Sequence, residues 1–437
     1  MYSKKIQNEL KKNKIDVGDT VVVHADGRKY EGIIMPRPQL GDSDILVLKL
    51  KSGYNIGIKP SSIELVATTS AKTKEEPLLE KPKPGDIAIL GCGGTIASRV
   101  EYKTGAVYPS ITPKELRTAF PELEGWPLHS RQLFSLFSED MNAHHWRKIA
   151  DEIENEIKDG AKGVVLMHGT DTMSYTSSAV SFMLQNLPVP VIFVGSQRSS
   201  DRPSSENRMN LMNSVFAATK DFGEVSVCMH ASTNDDFCHI HRGTRVRKMH
   251  TSRRDAFHSI NSSPLFAVDY RKDRFEALSN YRPRSREGLV SKKKLNDNVA
   301  LIYSHPNIKP EFISKLDSFD GVVLAGTGLG HVPIGESDDK HANNIYKPLK
   351  ELIDSGIPVV MSSQCISGRL CMRVYTTGRV LRNMGVIGDG ADWTPETAYT
   401  KLCWVLGQTK KMEEVARLMN ANIAGEINER SILEGCK

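Results

Sequence analysis

From Asp86 onward, short apolar runs alternate with longer stretches that have helical spacing. The segments "DIAILG", "GVVLMHG" and "PVIFVG" are typical of buried strands. The segments "MNAHHWRKIADEIENEIKDG", "SYTSSAVSFMLQNL" and "SENRMNLMNSVFAATK" place apolar residues three and four positions apart, as on one face of a helix. Strands that alternate with helices form parallel sheets covered on both faces. The sequence therefore predicts a large, doubly wound α/β domain.

A shorter series of the same kind begins near residue 300. "DGVVLAGTGLG" predicts a strand and a glycine turn, "NNIYKPLKELIDSG" a helix, and "IPVVMSSQC" a further strand. Thr394 and Thr112 each precede a proline and are predicted to be helix N-caps. We predict a smaller C-terminal α/β domain over residues 291–437.

The amino-terminal part of the chain has a different pattern. It contains short β-rich runs, and the Asp26-Gly27 pair between two of them is a hairpin signal. The following "ATTSAKTKEEPLLEKPKPGD" has little apolar content and is typical of a linker. We predict a small β-barrel domain over residues 1–70, a linker over 71–85 and the large domain over 86–290.

The composition excludes several protein classes. The hydrophobic share is 39%, and no run of about 18 apolar residues is present, so no membrane span is expected. The amino terminus is basic but lacks the apolar stretch of a secretory signal. The seven cysteines form no C-x-x-C pair, so neither a disulfide framework nor a bound metal is expected. These features favour a cytoplasmic location.

The net charge of +6 is concentrated in two basic runs. "HRGTRVRKMHTSRR" covers residues 241–254, and "YRPRSREGLVSKKK" covers 281–294. Such runs can contact the phosphates of a nucleic acid. A solvated charged surface gives the same pattern, and for either run taken alone it is the favoured interpretation.

Polar side chains are crowded where two of the predicted strands end. Thr95 follows a strand in "GCGGTIAS", and Thr170 and Asp171 follow another in "HGTDT". Ligands bind beyond the carboxyl ends of parallel strands, and Gly93 and Gly94 let the backbone approach a ligand closely. One hydroxyl is enough to cap a helix. The additional polar groups therefore predict a chemical role.

Three common motifs do not fit the first of these turns. A dinucleotide fingerprint needs glycine where Ile96 stands, and a P-loop needs a Gly-Lys pair before Ser or Thr, which is absent. A cysteine elbow around Cys92 would need glycine at Leu90, so Cys92 is predicted to be a buried packing residue.

His239 and His241 suggest a metal site, but further ligands are missing, and an ordinary polar role is favoured.

"GGTIAS" and "HGTDT" together resemble the paired signature of the bacterial-type asparaginase and glutaminase family. The similarity extends from Asp86 to about Ala424. "SEDMN", which begins at Ser138, is similar to the segment that binds the substrate carboxylate in that family. "RKMHTSRRDAF" places Lys248 where the family has a buried catalytic lysine, and Tyr108 in "KTGAVYPS" matches the mobile tyrosine of the family's lid.

The resemblance implies a two-part catalytic set. Thr95, helped by Tyr108, would attack the side-chain amide carbon of the substrate and form an acyl-enzyme. Thr170, Asp171 and Lys248 would form a second linked set, in which the lysine relays a proton or orients a water molecule. Which threonine attacks first remains open at the level of sequence.

The resemblance also implies the substrate-binding groups. Asp171 and Ser138 would hold the α-amino and α-carboxylate groups, and Glu139 and Gly94 are further candidates for substrate binding. Backbone N–H groups at the glycine turns would stabilise the oxyanion.

A barrel, a linker and this α/β pair, in that order, are similar to the D-type subunits of the archaeal glutamyl-tRNA(Gln) amidotransferases. That resemblance implies a glutaminase with glutamine as substrate and no cofactor in this chain. It implies a partner, the E-type subunit, that uses ATP and Mg²⁺ to convert Glu-tRNA(Gln) to Gln-tRNA(Gln), and a homodimer within a D2E2 assembly.

Two alternatives to this interpretation are considered. One is a stand-alone L-asparaginase whose barrel aids stability or assembly. The other is an RNA-associated binding protein without activity, and the intact Thr95, Thr170, Asp171 and Lys248 argue against it.

Overall fold

The computed structural model describes residues 2–36, 42–52, 54–68, 83–94, 98–100, 107–109, 120–199, 204–335, 341 and 343–431, with the backbone alone for 98–100 and 107–109. Its α-helices, in chain order, are α1 (Lys4–Lys12), α2 (Ala143–Lys158), α3 (Met173–Met183), α4 (Asn207–Ala218), α5 (Pro310–Ser314), α6 (Tyr346–Asp354), α7 (Thr376–Met384), α8 (Pro395–Gln408) and α9 (Met412–Asn420). Its strands are β1 (Thr20–Ala25), β2 (Arg28–Ile34), β3 (Leu46–Leu50), β4 (Asn55–Ile58), β5 (Ser62–Ala67), β6 (Ile87–Gly93), β7 (Ser98–Val100), β8 (Val107–Pro109), β9 (Leu128–Leu136), β10 (Gly163–Met167), β11 (Leu184–Gln185), β12 (Val191–Val194), β13 (Val225–His230), β14 (Cys238–Arg242), β15 (Val246–Lys248), β16 (Phe257–Ser259), β17 (Phe266–Asp269), β18 (Arg274–Ala277), β19 (Val290–Ser291), β20 (Val299–Tyr303), β21 (Gly321–Gly326) and β22 (Val359–Ser363).

The amino-terminal strands form a five-stranded antiparallel sheet in the order β4-β3-β2-β1-β5. The hairpin between β1 and β2 turns at Asp26 and Gly27, whose φ angles of 48° and 71° are left-handed, as a tight two-residue hairpin requires. Helix α1 was not expected from its basic sequence. Its Ile6 and Leu10 are buried in the apolar core of this sheet.

The large sheet has eight strands in the order β18-β17-β14-β13-β12-β10-β6-β9. Strands β9, β6, β10, β12 and β13 are parallel to one another. The predicted parallel strands β6, β10 and β12 are therefore confirmed, whereas β9 and β13 were not predicted. Along β10, Val164 and Leu166 share an apolar cluster with α2 and α3, whereas Val165 and Met167 share one with α4. This alternation covers both faces of the sheet. The antiparallel extension through β14, β17 and β18 was not predicted.

The C-terminal part has a three-stranded parallel sheet in the order β20-β21-β22. Helix α8 begins as predicted, with the Thr394 hydroxyl accepting a hydrogen bond from the Thr397 N–H. Helices α3 and α8 pack together, with Phe182 stacked on Trp404 at 6.0 Å between ring centroids. One apolar core is therefore continuous between the two α/β parts. The predicted helix that Thr112 would open lies outside the described residues.

Within the part of the chain that the structure describes, no helix combines the length and the apolar character needed to cross a membrane.

Candidate active site

Four neighbouring parallel strands, β9, β6, β10 and β12, end at one edge of the large sheet. Ser138 follows β9, Gly94 follows β6, Thr170 follows β10 and Gly195 follows β12. Since parallel strands bring their carboxyl ends together, segments far apart in sequence meet here. The topology therefore brings Gly94, the residue before Thr95, to the same edge of the sheet as Thr170.

The two turns touch through glycine backbones. Gly94 has a left-handed φ of 82°, and a Cβ atom added to it would collide with the Cα and N atoms of Gly169. Gly94 directly precedes Thr95, and Gly169 directly precedes Thr170. The first threonine turn therefore begins in contact with the second, although Thr95 itself lies outside the described residues.

The centre of the described site is a contact among Thr170, Asp171 and Lys248. The Lys248 Nζ donates to Thr170 Oγ1 at 2.9 Å and to Asp171 Oδ1 at 2.9 Å. Thr170 is 7% exposed, and the side chains of Lys248 and Asp171 are 12% and 67% exposed. The hydroxyl and the ammonium are thus enclosed, while the carboxylate opens to solvent.

The segment that starts at Ser138 is fixed to the second threonine turn. The Thr172 hydroxyl donates to the Ser138 carbonyl oxygen at 2.6 Å. A Cβ atom on Gly169 would lie 2.7 Å from the Cβ atom of Ser138, so these two residues pack with no space to spare. Ser138 is buried, and the next residue, Glu139, is exposed. The roles of Thr172 and Gly169 were not predicted, although both belong to "HGTDT".

His168 is a further residue of this turn to which the sequence assigned no role. It is fully buried, and its Nδ1–H donates to the Gly169 carbonyl oxygen at 2.6 Å. Its ring packs edge-on against Phe193, with 5.8 Å between centroids. Burial lowers the pKa of His168 to about 4, so the ring is neutral at neutral pH. His168 therefore fixes the orientation of the Gly169 carbonyl and carries no charge into the site.

Two short strands come after the first threonine turn in the sequence. Strand β7 pairs antiparallel with β8, with Arg99 opposite Tyr108. The backbone of Tyr108 therefore belongs to an antiparallel strand pair whose first strand begins three residues after Thr95. The side chain of Tyr108 lies outside the described part of the chain.

All five arginines of the first basic run are paired within the protein. Five ion pairs account for them: Arg242–Glu224, Arg245–Asp392, Arg247–Glu396, Arg253–Asp255 and Arg254–Asp235. In the second run, Lys293 pairs with Asp151 and Glu154. These internal pairs explain most of the charge in the first run without a nucleic acid.

The other chemical candidates have ordinary roles. In the described residues, no cluster of three or more His, Cys, Asp or Glu side chains is placed to hold a metal ion. His241 is buried with its Nδ1 2.8 Å from the Ser259 hydroxyl, and His239 packs edge-on against it. Cys92 is fully buried in the apolar core, where burial raises the pKa of its thiol to about 12. Cys92 is therefore an unreactive packing residue.

Comparison with known proteins gives matches along nearly the whole chain. Family models described as "Asparaginase, N-terminal", "Glutaminase/Asparaginase C-terminal domain" and "GatD N-terminal domain" match residues 86–282, 298–419 and 15–67. The D-type subunit of glutamyl-tRNA(Gln) amidotransferase from Methanobrevibacter smithii is 44% identical, over 99% of each chain. The protein of the same name from Pyrococcus horikoshii is 48% identical, over 97% of each chain.

Solved structures with the same fold as the α/β part include asparaginases. The thermostable L-asparaginase from Thermococcus kodakarensis superposes with a TM-score of 0.71 at 32% identity, over 79% of this chain and 100% of that chain. L-asparaginase I from Vibrio cholerae gives a TM-score of 0.66 at 28% identity, over 79% of this chain and 99% of that chain. The D-type relatives match this chain at full length, because they share its amino-terminal domain as well as its α/β part. The chain is an enzyme subunit with an asparaginase-type hydrolase region, and it belongs to the family of D-type glutamyl-tRNA(Gln) amidotransferase subunits.

Proposed function

We propose that this protein hydrolyses glutamine to glutamate and ammonia, as the glutaminase subunit of a tRNA-dependent amidotransferase. The observation that carries the proposal is the match to the D-type subunits over 97% to 99% of both chains. A stand-alone asparaginase accounts for 79% of this chain. The contact of Lys248 with Thr170 and Asp171 supports the chemistry, because it places an ammonium, a hydroxyl and a carboxylate within one hydrogen-bonded set.

The first step in the proposal is attack by the Thr95 hydroxyl on the side-chain amide carbon of glutamine, with Tyr108 helping to remove the hydroxyl proton. A threonine hydroxyl is a weak nucleophile until a neighbouring group takes that proton. A carbon–oxygen bond forms to Thr95, the carbon–nitrogen bond breaks, and the nitrogen leaves as ammonia once it has gained a proton. Water then hydrolyses the acyl-threonine to glutamate and restores Thr95.

Thr170 and Lys248 suit the delivery of that proton. Because the lysine Nζ is the donor in its contact with Thr170, the hydroxyl oxygen accepts there and its own hydrogen is directed elsewhere. A hydroxyl polarised in this way can donate its proton to the leaving nitrogen while the Lys248 ammonium replaces it, and the proton removed from Thr95 returns to the lysine, so one proton passes overall from Thr95 to the ammonia. In this proposal Asp171 balances the charge of Lys248 through its 2.9 Å contact.

The substrate-binding part of the proposal uses the exposed carboxylate and the buried serine segment. Asp171, with a side chain 67% exposed, offers a negative charge to the α-ammonium of glutamine. Ser138 would bind the α-carboxylate, with Glu139 and Gly94 at the border of the same pocket. The hydrogen bond from Thr172 keeps the Ser138 segment in register with the catalytic turn.

The proposal divides the work between two kinds of chain. This chain would consist of an amino-terminal domain over residues 1–70, a linker over 71–85, the active-site domain over 86–290 and a smaller domain over 291–437. It would need no cofactor. The E-type subunit would use ATP and Mg²⁺ to activate Glu-tRNA(Gln) and then accept the ammonia. We further propose a cytoplasmic location and a homodimer within a D2E2 assembly.

The direct test measures ammonia release from glutamine and from asparagine by the lone chain, by the chain with the E-type subunit, and by the complex with Glu-tRNA(Gln). We expect hydrolysis of glutamine that is fastest in the complete mixture. Strong hydrolysis of free asparagine by the lone chain, with no response of glutamine turnover to the partner, would favour the stand-alone asparaginase.

A rescue experiment separates amide hydrolysis from the rest of the reaction. Thr170→Val keeps the side-chain volume and removes the hydroxyl, so we expect glutamine-dependent formation of Gln-tRNA(Gln) to be lost and ammonium-dependent formation to remain. Thr219→Val is a matched control, because the Thr219 hydroxyl donates to a carbonyl of its own helix, that of Phe216, at 2.7 Å. Failure of ammonium to rescue the Thr170 variant would place its defect outside amide hydrolysis.

A further inference from the structure

The strand that carries Lys248 is not part of the large sheet. Strand β15 pairs with β16 in a separate two-stranded ribbon, with Val246 opposite Ser259 and Lys248 opposite Phe257. A two-stranded ribbon alone has marginal stability in water. The position of the Lys248 ammonium must therefore depend on contacts from outside this ribbon.

Arg245 provides the first of these contacts. Its guanidinium is fully buried and donates to the Asp392 carboxylate at 3.0 Å, to the Asp392 carbonyl at 3.0 Å and to the Gly425 carbonyl at 2.9 Å. Asp392 is itself buried and accepts a further hydrogen bond from the Asn428 N–H at 3.0 Å. A planar guanidinium with three fixed acceptors holds its backbone more precisely than a single-point contact would.

Arg247 provides the second contact, on the same side of the strand. It forms an ion pair of 3.2 Å with Glu396, in the first turn of α8. Next to Arg245, the Thr397 hydroxyl donates to the Thr244 carbonyl at 2.9 Å. Residues of the C-terminal part, mainly from the start of α8, therefore hold the chain from Thr244 to Arg247.

Strand geometry connects these contacts with the catalytic lysine. Successive side chains of a strand point to opposite faces, so Arg245 and Arg247 share one face and Lys248 lies on the other. The C-terminal residues bind the first face, and Thr170 and Asp171 bind the second. Any shift of the first face must therefore displace the Lys248 ammonium.

We propose that Asp392 and Glu396 are positioning residues for amide hydrolysis, which hold β15 from behind so that Lys248 meets Thr170 and Asp171. Among the described residues, neither carboxylate touches a reacting group, and both act through Lys248. This inference rests on the proposed glutaminase activity.

The test compares Glu396→Gln and Asp392→Asn with the unaltered protein, each as the full chain with the E-type subunit and Glu-tRNA(Gln). Displacement of a reacting group by a fraction of an ångström to an ångström can cost a factor of about ten to a hundred in rate. We expect kcat for glutamine to fall about tenfold or more while KM changes by less than about twofold. Asp392→Asn leaves the buried Arg245 charge without its anion and can prevent folding. Glu396→Gln keeps the test decisive, because its partner Arg247 has a side chain 23% exposed.

Asp255→Asn is the matched control. It breaks the 2.6 Å ion pair between Arg253 and Asp255, which lies on the loop between β15 and β16 and does not reach the C-terminal part. We expect its kcat to match that of the unaltered protein. An equal loss in this control would show that any damaged ion pair near the ribbon has the same effect, and it would overturn the inference.

Combination with Lys248→Ala tests whether the effect passes through the lysine. If it does, Glu396→Gln adds no further loss to the residual rate of the Lys248 variant. A further loss of the same factor in the double variant would contradict the inference. So would an unchanged kcat, or a change in KM alone, in folded Glu396→Gln. If the unaltered complex does not hydrolyse glutamine, the proposed function fails instead.

Discussion

The two ends of the large sheet both carry buried polar groups, but they use them differently. At the amino-terminal end of β6 and β9, Glu156 accepts from Arg131 at 2.8 Å through one oxygen and contacts His129 at 2.8 Å through the other. At the carboxyl end, Lys248 contacts Thr170 and Asp171, and the Asp171 side chain remains 67% exposed. Charged groups whose hydrogen bonds are satisfied within the protein stabilise the fold, whereas groups with remaining hydrogen-bonding capacity can bind a ligand.

The two ends also shift histidine pKa values in opposite directions. Burial alone would lower the pKa of His129, but its hydrogen bond to Glu156 and the charges of Glu156 and Asp86 raise the pKa overall. His168, at the carboxyl end, has no carboxylate partner in the described part of the chain, and burial lowers its pKa to about 4. The carboxylates at the amino-terminal end therefore favour the charged form of His129, whereas burial at the carboxyl end favours the neutral form of His168.

The largest expected effect is that of Lys248→Met on activity. Loss of the ammonium removes both contacts to the catalytic turn, and we expect kcat for glutamine to fall by about a hundredfold to ten-thousandfold. The melting temperature should change little, because the pair includes a solvent-exposed carboxylate. If Lys248→Met instead lost much stability and kept normal turnover per folded molecule, the charged groups at both ends of the sheet would serve stability, and the contrast between the ends would be lost.

The opposite outcome is expected for Glu156→Gln. The change leaves His129 and Arg131 without their shared anion, and we expect a loss of about 3 kcal/mol in the free energy of unfolding. The kcat of the folded enzyme should remain unchanged, as measured below the unfolding transition. Glu414→Gln removes the partner of the surface residue Arg417 and should leave the urea midpoint unchanged.

A smaller effect is expected at the junction of Gly169 and Ser138. Gly169→Ala places a methyl group 2.7 Å from the Ser138 Cβ atom, so the Ser138 segment must move. We expect KM for glutamine to rise about tenfold, because Ser138 would lose its place at the substrate carboxylate. Gly125→Ala is the control, since a Cβ atom there meets nothing within 4 Å. An unchanged KM in the Gly169 variant would argue against the binding role of Ser138.

The two histidines give opposite pH effects on stability. Because the pKa of His129 is raised on folding, its contribution is present below the unfolded pKa and is lost as pH rises through the folded value. Because the pKa of His168 is lowered to about 4, its contribution is present above the unfolded pKa and is lost as pH falls. The measurement is the urea midpoint as a function of pH. We expect His129→Gln to remove the decline of the midpoint at alkaline pH, and His168→Asn to remove part of its decline at acid pH. Identical profiles for both variants would contradict the contrast.

The smallest effect is expected for Cys92→Ala. Its thiol is buried and protonated, so removal should cost about 1 kcal/mol of stability through the small cavity left behind. Glutamine turnover should be unchanged, as checked by ammonia release. Loss of turnover in the folded variant would reopen a cysteine mechanism.

The sequence predicted features that depend on local pattern. Strands β6, β10 and β12 were found because each is an apolar run that ends in a glycine or polar turn, and Thr394 was found because a cap residue precedes its helix. The "HGTDT" turn was found because its polar groups exceed the need of a cap. Helix α1 was missed because only Ile6 and Leu10 of its basic sequence face the core.

Features that depend on distant contacts were not predicted. The antiparallel strands β14, β17 and β18 have no α-helix between them, so they lack the alternation that identifies the parallel part. Arg245 and Asp392 are 147 positions apart, and each resembles an ordinary surface charge in the sequence. His168 belongs to the "HGTDT" motif, but only the folded turn shows that its ring holds the Gly169 carbonyl.

The contact between Gly94 and Gly169 limits how this kind of enzyme can diverge. A side chain at Gly94 would push the two segments apart, and no change at Gly169 could make room, because Gly169 has no side chain to shorten. If the proposed mechanism holds, Gly94 can vary only at the expense of activity. Among paralogues that share this architecture, replacement of Gly94 should therefore mark copies that have abandoned amide hydrolysis.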